Sequence, residues 1–592
     1  MLAESAGVVL DEVVLLKSPL LASPYVPQGE AAAPSTRLHS RRHTVKSSIS
    51  KDQQPDRRPL TRPGARRNGR RRSRWGEVVL AAIGLCALGL FWRLFRRRDH
   101  HISFEDALPN GGSCELRGLL TRSVNGIDER HRIAIRVYPN STPADDYVPA
   151  NVVQPRLLHP QLSSQLANIF SHSPQALEPD LTRDGQCIRP VTHAIDVRPH
   201  AQVRSGPELF FALCTAPKRA EKYAEVWRHF MVSPGRAAPS RPPGCLVTDA
   251  SGTGDTKGMA RANDEFRRQG LGCIMRDTSR TGQRYELRVL GLVRDAWVES
   301  ELRRWRDGAR PIDWFIFGDD DTWWSDATLL RDLLAKQNPT EDHLFGTFSE
   351  TRANFDYFGR IAYGGGGIVI SRALLEKMQA RIDECAIRFR DVAGGDGMIT
   401  NCAALSADVP LNRIVEEVPA LRQMDIQGDA TGYLSDGTAP FHSLHHWSSW
   451  LTLMPGVSEV EAIKLLSAAA YVVGGNNFLR RWIFDGGAIT WSLGYAVTVH
   501  RSALSADALT RVEWTWDGHE PRRPARPRLT EAEDKFTYFI VEVRELEPNL
   551  HLFRHTCSHP SVLEGLREID IVWDARSLNP KASSGWGRRW FP

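Results

Sequence analysis

Asp313-Trp-Phe-Ile-Phe-Gly-Asp319-Asp320-Asp321-Thr322 is the stretch on which the reading of this chain turns. Four consecutive large apolar residues with no helical spacing read as a strand buried on both faces, the kind found in parallel sheets under helices. The strand ends in a glycine and then releases three adjacent carboxylates. In open α/β sheets ligands gather where strands end. Three neighbouring carboxylates repel one another unless a cation neutralises them, and hard oxygen ligands suit Mg2+ or Mn2+. The same residues also read as a solvated acidic turn leading into the helix that begins near Asp326. The stretch alone leaves both readings open.

Working outward, short apolar runs alternate with amphipathic segments from Glu208 onward. Leu209–Leu213 and Cys245–Thr248 read as strands, with helices expected over Arg219–Met231, Lys257–Gln269 and Tyr285–Trp305. Strands alternating with helices imply βαβ units and a mostly parallel sheet. Beyond Pro455 the pattern becomes less regular and more β-like, so 205–455 is expected as the main domain and 456–592 as a β-rich C-terminal extension.

Three further segments bear on chemistry. Tyr363-Gly-Gly-Gly-Gly-Ile-Val-Ile-Ser371 is a glycine run feeding an apolar strand, which permits close backbone approach to a ligand or merely a turn. Gly394-Gly395-Asp396-Gly397 opens a helix expected over Met398–Leu405, so Asp396 is either a cap or a carboxylate presented at a helix start. Ser443-Leu444-His445-His446-Trp447 sets two imidazoles side by side, metal ligands or ordinary surface histidines.

Charge and apolar patterning bound the setting. The chain has 592 residues and a net charge of +6. Fourteen Lys/Arg against Asp52 and Asp56 give the stretch from Arg37 to Arg74 alone a charge of +12, so the remainder carries −6. A uniformly basic nucleic-acid binder does not look like this. Residues 1–74, rich in Pro, Ser and Arg, read as a disordered cytoplasmic tail. Val78–Trp92 is apolar and continues through Leu94 and Phe95, giving a short transmembrane anchor over 75–95 flanked by arginines. The excess of Lys/Arg on its N-terminal side places the long C-terminal part in the lumen, a single-pass type II topology. Residues 96–204, dotted with Pro and His, read as a stem. Eight of the nine cysteines lie beyond the anchor and could form four disulfides in an oxidising compartment, with Cys385 and Cys402 bracketing the Gly-Gly-Asp segment.

In order and spacing these pieces resemble the inverting β1,3-glycosyltransferases of the Fringe and core 1 galactosyltransferase class (glycosyltransferase family 31-like). They are closest to the plant and fungal Fringe-related family of unknown function. The resemblance runs from about Phe210 to Leu451. It includes Asp277-Thr-Ser-Arg280, Gly346-Thr-Phe-Ser-Glu350, Gln423-Met-Asp425-Ile-Gln-Gly428-Asp429 and the segments quoted above. It implies a GT-A-type sheet flanked by helices that binds a UDP-sugar donor with Mn2+ or Mg2+. Carried onto this chain, Asp321 binds the metal with Asp319 and Asp320 close to it or to the ribose. A histidine completes the shell, His446 by alignment with His445 the alternative. Asp396 is the general base. Thr215, Arg219, Asp277, Gly365 and Gly366 fall in donor-contacting positions. The partners implied are the nucleotide-sugar and a glycan, glycoprotein or glycolipid acceptor at a Golgi (or ER) membrane. This chain departs from the plant pattern at Gly397, which stands where an acidic residue is usual. That leaves a second expectation, a catalytically silent glycan- or partner-binding relative.

Overall fold

The computed structural model describes residues 132–141, 151–153, 170, 183–184, 187–188, 190–198, 206–232, 242–436, 441–517, 520–562 and 565–576. The basic tail and the anchor over 75–95 lie outside these residues. Among the described residues no helix is long and apolar enough to cross a membrane.

The opening strand belongs to a seven-stranded sheet formed by β1 (Leu209–Thr215), β2 (Gly244–Asp249), β3 (Cys273–Arg276), β4 (Trp314–Gly318), β5 (Leu344–Gly346), β6 (Ile368–Ser371) and β7 (Val415–Glu417). Their order across the sheet is β7-β5-β6-β4-β1-β2-β3. β1 runs parallel to both β2 and β4, β2 to β3, and β5 to β7, whereas β6 is antiparallel to its neighbours β4 and β5. One strand out of seven is therefore reversed.

Side chains alternate across this sheet with a period of two. Leu209, Phe211, Trp314 and Ile316 join one core with Tyr223 and Trp227 of α1 (Pro217–Met231) and Phe266 of α2 (Thr256–Gln269). Phe210, Ala212, Phe315 and Phe317 join the other core with Leu290 of α3 (Tyr285–Asp307), Met378 of α4 (Arg372–Arg388) and Met398 of α5 (Gly395–Ala407). Both faces are covered, which is why the strands read as continuous apolar runs. The expected α/β sheet flanked by helices is present. After β3 the chain returns to β4 on the other side of β1, so the strand order reverses at the β1/β4 pair, where such sheets place their ligands.

A second, nine-stranded sheet joins distant parts of the chain. Its order is 151–153, 481–484, 489–492, 496–500, 535–547, 550–556, 568–574, 132–141 and 190–197. Three of these strands come from the stretch expected to be a stem. Ile133 and Ile135 alternate inward and pair with Ile569 and Ile571, more than 400 positions away. The β-rich character expected beyond Pro455 is present, but a helix over Glu459–Val473 precedes it and packs on the main domain. Lys464 Nζ lies 2.7 Å from Glu225 on α1, and Trp323 Nε1 donates to Ser467 Oγ at 2.8 Å. One apolar core continues across residue 455, with Trp323, Leu466, Trp482, Trp491 and Tyr495 all buried in it.

Among the described residues two disulfides form, Cys245–Cys273 between neighbouring strands and Cys385–Cys402 between α4 and α5. Cys214 and Cys557 are buried free thiols, so four disulfides do not form.

Candidate active site

β4 delivers the acidic loop to the sheet edge, and Thr322 folds it. The Asp319 N–H donates to Thr322 Oγ1 at 2.9 Å, and that hydroxyl donates to the Gly365 carbonyl at 3.0 Å. The three carboxylates then take different directions. Asp320 turns back into the protein, where Arg219 Nε and Nη2 donate to it at 2.5 and 2.6 Å and the Thr215 hydroxyl also donates. Trp227 Nε1 holds its backbone carbonyl at 3.0 Å. Burial pushes the Asp320 carboxyl up and the guanidinium pulls it back. Thr215 and Arg219, expected to touch the nucleotide, are thus occupied in anchoring the loop. Asp320, expected near metal or ribose, is their anchor point.

Asp319 and Asp321 converge on one imidazole. His445 Nε2 lies 3.2 Å from Asp319 Oδ2 and 3.2 Å from Asp321 Oδ1. Asp321 is buried and also accepts from the Ser448 and Ser449 hydroxyls, each at 3.2 Å, while Asp319 keeps 46% of its side chain exposed. His445 is placed by a short antiparallel pairing of Trp323-Trp324 with Ser443-Leu444. Its Nδ1 lies 3.1 Å from the Gln423 carbonyl, which can only accept, so the ring nitrogen facing the carboxylates is the one left free to serve as a ligand.

Burial opposes a charged His445, but Asp321 and Asp319 prevail and raise it to about 10. Burial would likewise raise Asp321, yet His445 holds it well below the usual carboxylate range. His446 adopts φ 60°, stacks on Trp450 at 3.8 Å and hydrogen-bonds Ser449 through Nδ1. Burial, then its charged neighbour His445, push His446 well down. Candidate ligand atoms of Asp321, His445 and His446 all lie within 4.8 Å of one another. Alignment favoured His446; the geometry puts His445, the alternative, between the two carboxylates.

Close packing within the protein accounts for glycine along the run. A Cβ on Gly365 would sit 1.9 Å from His445 Nδ1, one on Gly366 2.4 Å from Thr347 Cγ2, and one on Gly367 2.6 Å from Trp324. At Gly365 and Gly366 the close approach is to protein side chains. Gly364 alone borders the acidic groups, its absent Cβ being 3.6 Å from both Asp319 Oδ1 and Asp396 Cβ.

Asp396 and Asp319 therefore border the same glycine. It lies in the first turn of α5, whose cap is Gly394 with φ 79°. Its carboxylate accepts from the Gly397 N–H at 2.8 Å and the Gly364 N–H at 3.3 Å. A Cβ on Gly394 would meet Asp396 Oδ1 at 2.5 Å, and one on Gly395 would strike Val289 of α3 at 2.4 Å, which accounts for both glycines. Burial and then the negative Asp319 push Asp396 up to about 6. Gly397 is buried with Val392 Cγ1 only 3.0 Å from a built Cβ, so a larger residue there would have to displace Val392. Asp277 follows β3 on the same sheet edge and accepts from the Thr278 N–H at 3.0 Å; no contact joins it to the acidic loop among the described residues.

Gln423 carries no chemical signature in the sequence. Its side-chain oxygen accepts the Gly366 N–H at 2.9 Å while its carbonyl orients His445, so it links the glycine run to the imidazole. Ser448 and Ser449 were missed because a pair of serines after a tryptophan carries no chemical signature.

Residues 267–424 match the Fringe-like family, and residues 353–538 match the family described as a protein of unknown function, DUF604. The two matches overlap and together run from residue 267 to 538, so the chain carries a Fringe-like domain. The first match spans the acidic loop, the glycine run, Asp396 and Gln423; the second adds both histidines and the strands to Tyr538. Among solved structures, the chain is similar to a mannosyltransferase from Pyrobaculum calidifontis in complex with GDP-Man and Mn2+ (14% identity, 47% of this chain and 65% of that one, TM-score 0.23). It is also similar to the glycosyltransferase GlyE of Streptococcus pneumoniae (11%, 38% and 48%, 0.23) and to mouse xyloside xylosyltransferase 1 (10%, 36% and 84%, 0.23). The chain thus spans less than two thirds of the first two, and overlays this loose carry no argument about its chemistry. No curated protein matches it in sequence.

Proposed function

We propose that this protein is an inverting, metal-dependent glycosyltransferase of GT-A type. It would move a hexose or N-acetylhexosamine from a UDP-sugar to a hydroxyl of a glycan, glycoprotein or glycolipid, in a β1,3 linkage. The observation that carries the reading is the convergence of Asp319, Asp321 and His445 at 3.2 Å, with Asp396 bordering the same glycine as Asp319. The donor set fits a hard or borderline divalent cation, two carboxylates and an imidazole whose other nitrogen is tied to a carbonyl. Asp319, Asp321 and His445, with His446 beside them, would hold Mn2+ or Mg2+. When bound, such a cation supplies charge stabilisation to a departing diphosphate.

Asp396 supplies the other half of the chemistry. An acceptor hydroxyl is a weak nucleophile until its proton is taken, and a carboxyl shifted to about 6 is ionised at neutral pH yet more basic than an ordinary aspartate. Asp320, held by Arg219 and Thr215, keeps the loop from rearranging. Base and metal ligands come from separate elements, Asp396 from α5 and Asp319 and Asp321 from the loop after β4, so the two tasks fall to different groups. The two disulfides support a lumenal, oxidising location, and with the apolar run over 75–95 they favour a type II protein of the Golgi or ER membrane.

The test is UDP-sugar turnover with and without Mn2+, for a panel of UDP-sugars, on the parent protein and on Asp396→Ala. The reading requires metal-dependent turnover in the parent that falls in the variant. A parent that shows none is the silent relative.

A further inference from the structure

We infer that the buried polar cavity between the short helix Thr431–Leu434 and the nine-stranded sheet is a halide site that takes chloride. The inference is independent of the transferase reading, because the cavity shares no residue with the acidic loop, the histidines or Asp396.

The cavity holds about 10 Å³, the space of one water-sized particle. It lies where Thr431–Leu434 and Asp436 meet the strands 489–492, 496–500 and 535–547. Every side chain on its wall is polar. Thr490, Thr498, His500, Arg526 and Lys535 all contribute to it, and each is less than a tenth exposed. An apolar cavity stays empty at little cost, whereas polar groups buried around a space need an occupant to satisfy them.

Charge selects the occupant. Asp436 lies 2.8 Å from Arg481 and 3.1 Å from Arg526, while Glu513 lies 2.8 Å from Arg526 and 2.7 Å from Lys535. Three cations therefore share two acids, which leaves one positive charge over. Glu531, bonded by the Thr537 hydroxyl at 2.6 Å, is exposed and faces water. Burial, then Arg526, Lys535 and Arg481, push His500 down to about 3, so its ring is neutral and sits in a positive field. Two nitrogens of the lining residues, Arg526 Nε and His500 Nδ1, are buried without a partner among the described residues. Thr490 Oγ1 lies 3.3 Å from His500 Nε2, and when that hydroxyl donates the ring proton stands on Nδ1. Both orphans are then N–H donors. A water would satisfy them but leave the charge, a cation is repelled, and sulfate or phosphate is too large. Chloride satisfies the donors and brings the cluster to neutrality.

The test melts the full chain while chloride replaces gluconate at constant ionic strength, for the wild type and for Lys535→Met, which leaves two cations for two acids. We expect a saturable rise of roughly 2 °C or more in the wild-type midpoint and none in the variant. Crystals of the wild type grown in sodium bromide should show an anomalous peak in the cavity, which decides the matter if Lys535→Met does not fold. No saturable rise in the wild type, or an equal rise in the variant, overturns the site. A cavity without bromide in the anomalous map overturns it whatever the melts show.

Discussion

Two regions of this molecule bury carboxylates, and they treat them in opposite ways. In the C-terminal part, Asp436 lies 2.8 Å from Arg481 and 3.1 Å from Arg526, while Glu513 lies 2.8 Å from Arg526 and 2.7 Å from Lys535. Every acid there has its cation, and all five groups are buried. In the β4 loop three acids share one guanidinium, Arg219, which Asp320 takes entirely. Asp319 and Asp321 are left with His445. Balanced charge buried among strands holds a fold together; unbalanced charge at the end of a parallel strand is poised for a ligand of opposite sign.

The comparison is broken most sharply at Asp396. Asp396→Asn should lower sugar transfer by about 10²–10⁴-fold without lowering the unfolding midpoint at neutral pH, because burial and Asp319 make the ionised carboxylate a cost to the fold. Asp436→Ala should do the converse, costing roughly 3–5 kcal/mol in a denaturant titration by removing the buried carboxylate that faces Arg481 and leaving Glu513 alone to balance Arg526 and Lys535, while turnover per folded molecule persists. If Asp436→Ala abolished turnover in the folded fraction, the division between the regions would be wrong. Gly365→Ala sharpens the site further. Its methyl would occupy the place of the His445 ring, so Mn2+ affinity measured by titration calorimetry should fall about 10–100-fold. The smallest effect is that of pH. Asp396 is raised to about 6, and the ionised form is the active base, so the rate should be level above that value and fall as pH drops through it, roughly 10-fold by pH 5. A profile flat from 5 to 8 would remove Asp396 from the proton-transfer step.

What the sequence disclosed follows the range of the interactions involved. The strand Trp314–Gly318 and the loop after it were legible because burial on both faces and a glycine boundary are local signals. So were α1, α2 and α3, which the structure extends by one or two residues at an end. The helix start at Gly394–Asp396 was legible for the same reason. The strands at 132–141 and 190–197 were not, since the first is made a strand by a partner some 430 residues on and the second by adding to the edge of the first. The glycine run was visible, but its cause was not: only the folded chain puts the His445 ring against Gly365 and Trp324 against Gly367. Choosing between adjacent histidines needed the same information, because alternation of backbone direction and the Gln423 carbonyl decide which ring faces Asp319 and Asp321. Asp320 likewise reads as one of three equivalent acids until Arg219 is seen to claim it.

The central claim is tested most directly by electron paramagnetic resonance of Mn2+ titrated with the full-length protein, with and without UDP. The account predicts that the protein quenches the signal of free Mn2+, that UDP deepens the quenching, and that His445→Ala and Asp321→Ala each abolish it. A free-ion spectrum unchanged by protein and UDP together would contradict it.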